Sequence, residues 1–129
     1  MPPQLPITVL FVGLFALIQV PLTMMVGWRR AQTVIPFLDG GDPTLLRRMR
    51  AHANFTETVP MVLLAMAMSE WTGLASVWLW AGGLCLLGGR ALHAYWTLRH
   101  GWGTPRATGM LLTFAPMLGF GGWLLSRGL

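Results

Sequence analysis

The sequence predicts an all-α fold, an integral-membrane bundle of four helices. Of the 129 residues, 54% are hydrophobic and only 10% are charged, whereas a soluble globular domain carries about 25% charged residues. Four apolar segments are long enough to cross a bilayer, because a hydrocarbon core of about 30 Å needs about 20 helical residues. There is no internal repeat, and residues 1–129 are predicted to form a single membrane domain.

Caps and turn residues set the predicted ends of the helices. Asp42 followed by Pro43 is typical of a helix start, because aspartate caps free backbone N–H groups and proline fits the first helical position. Thr104 and Pro105 repeat this pattern before the last apolar segment. The predicted helices span residues 5–28, 43–69, 74–99 and 105–126.

The basic residues, all of them arginine, predict the orientation in the membrane. Seven lie in or beside the first and third connections between helices, and Arg127 lies at the opposite end. Because positively charged loops stay in the cytoplasm, both connections are predicted to be cytoplasmic and both termini to lie outside. The net charge of +5 is attributed to these loops and to an acidic ligand, since no nucleic-acid-binding motif is present. With a single cysteine and no pair of metal-ligand cysteines, we expect no metal site.

The second predicted helix carries the main candidates for a functional site. Arg50, Asn54 and Glu57 are spaced at i, i+4 and i+7, which places them on one face of a helix. Ionisable groups within a membrane are costly, and they usually face the interior of the bundle or a cavity. We therefore interpret these three residues as ligand-binding candidates.

The third predicted helix offers a second polar face. Arg90, His93 and Thr97 are spaced at i, i+3 and i+7, and in an antiparallel pair this face and that of the second helix meet in the cytoplasmic half. The pocket expected there is rich in arginine, whose planar fork binds carboxylates, and contains one carboxylate that suits an amine. Glutathione has two carboxylates and one amine, and a nearby arginine would lower the pKa of its thiol. The sequence therefore favours a glutathione site.

Interpretations without catalysis remain open. Glu57 and Arg90 are expected to pair if they serve only the structure, because buried ions are usually paired. Arg47 and Arg48 fit ordinary anchors at the membrane surface better than ligands. A small proton-coupled exporter would also have four helices and one intramembrane glutamate, although typically in the first helix and without arginines on the same face.

Two runs of residues resemble a known family, the membrane-associated proteins in eicosanoid and glutathione metabolism. The first run is RAHANFTE, from Arg50 to Glu57, followed by Pro60, and the second is GRALHAY, from Gly89 to Tyr95. The length, helix order and loop charge are also similar. The resemblance implies a homotrimer that binds glutathione between neighbouring subunits, near the cytoplasmic face.

The resemblance also implies roles for individual residues. Arg106, at the start of the fourth helix, resembles the arginine that stabilises the glutathione thiolate, which makes it the candidate catalytic residue. Arg29 is similar to a carboxylate-binding arginine that follows the first helix. Together with the two polar faces, the candidate glutathione-binding residues are Arg29, Arg50, Asn54, Glu57, Arg90 and His93.

Three residues differ in type from those that relatives in this family have at the corresponding positions. Ala53 and Ala107 stand where prostaglandin E synthase has an arginine and a serine, and Thr97 stands where a pocket tyrosine is usual. We therefore expect a general glutathione transferase or peroxidase that acts on lipophilic electrophiles from the bilayer, in a bacterial inner membrane. The alternative is a non-catalytic member that binds a lipid or a partner protein.

Overall fold

The computed structural model describes residues 4–128, which fold into four α-helices. The helices are α1 (Pro6–Thr33), α2 (Pro43–Trp71), α3 (Ser76–Arg99) and α4 (Thr104–Gly128). The predicted all-α bundle of four helices is confirmed. The most extensive packing joins α3 to α4, and α1 packs on α2 and α3, while within the described residues its backbone does not come close to that of α4.

The start of α2 follows the prediction. The side chain of Asp42 accepts a hydrogen bond of 2.7 Å from the backbone N–H of Leu45, and Pro43 occupies the first turn. The remaining helix ends, apart from that of α1, differ from the predicted ones by the one or two residues over which helix ends fray.

The end of α1 lies beyond the predicted one, at Thr33. The helix ends where Val34 adopts the left-handed conformation, with φ of 56°. The guanidinium of Arg30 donates hydrogen bonds to the carbonyl oxygens of Ile35 and Leu38, at 3.1 and 2.9 Å. These bonds hold the connection that follows the helix against its last turns. Arg29, which was predicted to follow the first helix, therefore lies within the final turns of α1.

The inward face of α3 changes character along the helix. Its buried residues are Leu79, Gly83, Leu86, Gly89, Arg90, His93 and Thr97. The apolar first half packs against Phe11 of α1 and Phe120 of α4, in a core shared with Val62 and Met66 of α2. The polar second half lies toward the end of the bundle that carries the α1–α2 and α3–α4 loops, and this half holds the candidate site.

The backbones of α3 and α4 come close together beside this polar half. A Cβ atom added to Gly109 would lie 2.7 Å from the carbonyl oxygen of Gly89 and 2.8 Å from the backbone nitrogen of His93. Small residues permit such close approach of membrane helices. The glycine contact therefore fixes the distance between α4 and the buried polar residues of α3.

The outer surface of the bundle is apolar over much of its length. Leu17, Met24, Leu64 and Leu118 are among its exposed large side chains. Within the described residues, two helices, α1 and α4, are long and apolar enough to cross a membrane. The apolar runs of α2 and α3, which the sequence also predicted to cross the membrane, are interrupted by polar residues such as Asn54 on α2 and Arg90 on α3.

Candidate functional site

Arg90 joins three helices. Its side chain is only 4% exposed and donates from Nη1 to the Asn54 side-chain oxygen and, at 3.4 Å, to Thr58 Oγ1. Its Nη2 lies 3.3 Å from the carbonyl oxygen of Gly109. The predicted meeting of the polar faces of α2 and α3 is therefore confirmed at Asn54, and both Nη groups of Arg90 are already occupied by groups of its own chain.

The sequence left open a structural ion pair between Glu57 and Arg90, and this prediction is wrong. Within residues 4–128, the one salt bridge joins Arg29 to Asp42, with 2.6 Å between Nη2 and Oδ2. Glu57 is exposed, and its carboxylate makes no hydrogen bond within the same residues. The carboxylate that was predicted to face the interior therefore lies on the outer face of this subunit.

Arg29 is engaged at the start of α2. Its hydrogen bond to Asp42 holds the pKa of that carboxyl below its usual value, and the backbone N–H of Leu45 acts in the same direction. The charge pair connects the last turns of α1 to the first turn of α2. The structure therefore does not bring Arg29 to the other candidate residues within this subunit.

A cavity of about 450 Å³ lies between the start of α2 and the α3–α4 connection. The residues that line it are Pro43, Leu46, Arg47, Arg50, Thr97, Gly101, Trp102 and Arg106. Three of these are arginines and none is acidic, so the cavity is suited to an anion. Its volume falls in the range of small-molecule sites, about 300–1,000 Å³.

The three arginines of this cavity have much of their hydrogen-bonding capacity free. Arg47 donates from Nη1 to the carbonyl oxygen of Arg99, at 3.2 Å. The Arg106 guanidinium carbon lies 5.0 Å from the ring centre of Trp102, within cation–π distance, and its buried Nε has no hydrogen-bond partner. Arg50 is exposed and makes no side-chain hydrogen bond within residues 4–128. Free guanidinium groups held in this way can bind carboxylates.

Three buried polar atoms on α3 also lack hydrogen-bond partners within residues 4–128, and one of them is Arg90 Nε. Thr97, which lines the cavity, is 2% exposed and His93, one turn deeper, is 1% exposed. The other two atoms without a partner in the described part of the chain are Thr97 Oγ1 and His93 Nε2. Leaving such a group unsatisfied costs about 1–3 kcal/mol, so a polar ligand that reached them would recover part of that cost.

The predicted stripe on α2 is divided among three environments. At about 100° per residue, Asn54 is rotated about 40° from Arg50 toward α3, and Glu57 about 20° the other way. Asn54 therefore bonds to Arg90, Arg50 lines the cavity, and Glu57 points away from the subunit. Their spacing correctly placed them on one side of the helix, but it could not distinguish these environments.

Two polar residues that line the cavity, Arg47 and Thr97, are not among the glutathione-binding residues predicted from the sequence. Arg47 was interpreted as a surface anchor, and Thr97 as a departure from the related family. The signal for Thr97 was its place on the same face as Arg90 and His93. Arg47 carried no comparable signal, because its position depends on how the α3–α4 connection folds over α2.

A larger cavity, of about 580 Å³, lies between the other halves of α3 and α4. Its lining is mostly apolar and contains no charged residue, with Trp78, Phe120 and Trp123 among its walls. Cys85 is half-buried there and donates its thiol hydrogen to the carbonyl oxygen of Leu112, at 3.2 Å. This cavity offers nothing to an anionic ligand and is separate from the arginine cavity.

Comparison with known proteins gives two findings. The model of the MAPEG family, the family of membrane-associated proteins that the sequence resembles, matches residues 8–126. The inner membrane protein YecN of Escherichia coli strain K12 is 29% identical to the chain over 112 residues, which are 87% of this chain and 85% of the relative. YecN of Escherichia coli O6:H1 strain CFT073 matches to the same extent.

Proposed function

Since the chain belongs to the MAPEG family of membrane proteins, which includes glutathione transferases, we propose that it is a membrane-bound glutathione transferase. It uses glutathione to conjugate lipophilic electrophiles or to reduce lipophilic hydroperoxides. The observation that carries the proposal is the cavity lined by Arg47, Arg50 and Arg106 without a carboxylate. Glutathione, with two carboxylates, matches that charge.

The unpartnered polar atoms support the fit. Carboxylates of glutathione would bind the forks of Arg47 and Arg50, since bidentate arginine–carboxylate pairs are among the stronger hydrogen-bonded contacts. The hydroxyl of Thr97 and the Nε hydrogen of Arg106 are buried beside the cavity without partners, so backbone groups of the tripeptide can satisfy them. His93, Asn54 and Arg90 lie deeper and shape the inner end of the site.

Glu57 supports a site completed by a second subunit. A charged side chain that faces lipid near the middle of a membrane helix costs about 2.5–3.5 kcal/mol, and the exposed carboxylate of Glu57 has no partner within the described residues. In the proposed homotrimer a neighbouring copy covers this face, and Glu57 binds the amine of glutathione there. Arg29, which the family resemblance implies as a carboxylate ligand, would have to exchange Asp42 for a glutathione carboxylate.

Arg106 is the proposed catalytic residue. When bound, glutathione supplies the thiol whose sulfur attacks an electrophilic carbon and displaces a leaving group such as chloride. In the alternative reaction, two glutathione molecules are oxidised to the disulfide as the O–O bond of a hydroperoxide is cleaved to an alcohol and water. The guanidinium of Arg106 lowers the pKa of that thiol by stabilising the thiolate, and the thiol proton passes to solvent. The ring of Trp102 keeps this guanidinium at the cavity wall.

The proposed orientation places the arginine cavity at the cytoplasmic surface and both termini outside. Its support is the concentration of arginines in and beside the α1–α2 and α3–α4 loops. The inner membrane location in the name of YecN supports a bacterial inner membrane for this chain as well.

Calorimetric titration of the detergent-solubilised protein with glutathione tests the site. We expect saturable binding that Arg50→Ala or Glu57→Ala weakens at least tenfold, because each removes a hydrogen bond to a charged group. Arg127→Ala is the control, since Arg127 is exposed at the far end of α4 and stacks on Trp123. Absence of glutathione binding by a properly folded, assembled protein would overturn the proposal.

Conjugation of glutathione to 1-chloro-2,4-dinitrobenzene tests the role of Arg106. Arg106→Ala should lower kcat by more than it raises KM, and activity should recover as the pH is raised, because the bound thiol then ionises only at higher pH. The ultraviolet absorbance of the bound thiolate gives its pKa directly. An unchanged thiol pKa in this variant would remove Arg106 from the mechanism, and binding without any turnover would favour a non-catalytic member of the family.

A further inference from the structure

A third cavity lies at the same end of the bundle as the arginine cavity and shares no lining residue with it. It has a volume of about 230 Å³ and is lined by Met25, Thr44, Arg48, Leu98 and Arg99. These residues belong to α1, α2 and α3, whereas α4 and the loop before it form one wall of the arginine cavity. Nothing in the proposed glutathione chemistry uses this place.

The two arginines here leave positive charge uncompensated. Arg48 is held by one hydrogen bond of 2.8 Å from its Nη1 to the carbonyl oxygen of Met25, so its Nε and Nη2 groups are free to donate. Arg99 is exposed, and its side chain makes no hydrogen bond within residues 4–128. No acidic residue of the described chain lines the cavity. Two guanidinium groups beside one small cavity are suited to a phosphate, which accepts several hydrogen bonds at once.

The position of the cavity indicates that a phosphate bound there would belong to a membrane lipid. Arg99 is the last residue of α3, and Arg48 lies in the second turn of α2. The exposed aromatic rings of Trp28 and Tyr95 lie near the same end of the bundle, and such rings mark the boundary between hydrocarbon and water. The phosphates of lipids lie at this boundary, and the side chains of Met25 and Leu98 give the cavity apolar walls suited to the start of an acyl chain.

We propose that this cavity binds an anionic phospholipid, whose phosphate lies between Arg48 and Arg99. The hydroxyl of Thr44 is positioned to donate to the same headgroup. Basic pockets between membrane helices are suited to anionic headgroups because they combine charge with a lipid-facing opening. The site requires the membrane bundle but not the activity proposed above.

Native mass spectrometry in a neutral detergent tests this site with phosphatidylglycerol and phosphatidylcholine of the same acyl chains. The wild type should bind phosphatidylglycerol at least tenfold more tightly than phosphatidylcholine. Arg48→Gln and Arg99→Gln should each lose about tenfold in affinity for it, the effect of removing a hydrogen bond to a charged group. The matched control is Arg127→Gln, which removes an exposed arginine from the opposite end and should bind like the wild type.

Specific outcomes would overturn the proposal. Equal phosphatidylglycerol affinity in the wild type and Arg99→Gln would do so, and this variant remains informative even if Arg48→Gln fails to fold, because the Arg99 side chain makes no hydrogen bond to the described chain. Displacement of the lipid by millimolar inorganic phosphate would show that the site takes a free anion. Glutathione titration of Arg99→Gln should match that of the wild type, so failure of the lipid site is distinguishable from failure of the transferase proposal.

Discussion

The carboxylate of Glu70 accepts a hydrogen bond of 2.8 Å from the backbone N–H of Thr8, 62 residues away. Its other oxygen accepts a second bond, of 3.0 Å, from the N–H of Ile7. α1 has no side-chain cap of its own at Leu5, and the first N–H groups of any helix lack partners within it. The end of α2 therefore caps the start of α1 and places a negative charge at the positive end of its dipole.

Removing this cap should loosen α1. We expect Glu70→Ala to lower the free energy of unfolding by about 1–2 kcal/mol, because two backbone donors lose their acceptor. Glu70→Gln should cost less, since one amide oxygen remains as an acceptor. Denaturant unfolding in detergent gives the change, and hydrogen exchange at the amides of Ile7 and Thr8 localises it.

Asp39→Asn is the control for the cap. It neutralises a carboxylate whose side chain makes no hydrogen bond within the described residues, so it should leave stability and exchange almost unchanged. Wild-type exchange rates at Ile7 and Thr8 in Glu70→Ala would contradict the capping role.

The charge pair between Arg29 and Asp42 should make stability depend on pH. The pKa of Asp42 is lowered in the folded protein, first by its hydrogen bond to Arg29 and then by that to Leu45. A carboxyl with a lowered folded pKa stabilises the protein above its unfolded pKa, about 3.9, and this contribution is lost as the pH falls through the folded value. Asp42→Asn should therefore have a lower Tm than the wild type at pH 7.

The Tm difference between the two proteins should begin to shrink as the pH falls below about 4, where the carboxyl of the unfolded wild type becomes protonated, and should shrink further as the pH approaches the lowered pKa of the folded state. Thermal unfolding in detergent between pH 3 and pH 7 measures it. The same Tm difference at every pH would mean that the carboxylate charge contributes nothing. Asp39→Asn, which neutralises a carboxylate without an ion pair in the described structure, serves as the comparison.

Local signals in the sequence predicted much of this fold. The Asp42 cap and the four helices follow from residues close together in the chain, and helical spacing brought Asn54 and Arg90 onto faces that meet. The cap of α1 by Glu70 joins positions 62 residues apart, and nothing in the local sequence around Glu70 indicates it. The exposure of Glu57 was missed for a related reason, since spacing defines a face but not which helix, if any, packs against it.

The close contact between α3 and α4 should make Gly109 intolerant of a side chain. In Gly109→Ala the new Cβ would meet the backbone of Gly89 and His93 at 2.7 and 2.8 Å, and backbone atoms cannot move aside as a flexible side chain can. Overpacking of this kind costs about 1–3 kcal/mol. We expect that loss in denaturant unfolding, together with weaker glutathione binding, because α4 would shift relative to the cavity.

Gly119→Ala is the matched control on the same helix. A Cβ at Gly119 would have no heavy atom within 4 Å, and alanine has a higher helix propensity than glycine by about 1 kcal/mol. Gly119→Ala should therefore be neutral or slightly stabilising. Equal stabilities of the Gly109 and Gly119 variants would contradict the backbone contact.

The bond between Arg90 and Asn54 should appear as energetic coupling. Asn54→Ala leaves a buried guanidinium short of an acceptor, and Arg90→Met leaves the side-chain oxygen of Asn54 without a donor, so each should cost about 1.5–3 kcal/mol. The double variant removes both groups and should cost less than the sum, with a coupling energy of about 1–3 kcal/mol. Denaturant unfolding of the four proteins gives this energy.

Thr56→Ala replaces Asn54→Ala in a control cycle, because Thr56 is exposed and its hydroxyl bonds only to carbonyl groups of its own helix. Additive losses in the Asn54 cycle would mean that Arg90 does not hold α2 against α3, and its guanidinium would then be free to bind a ligand directly.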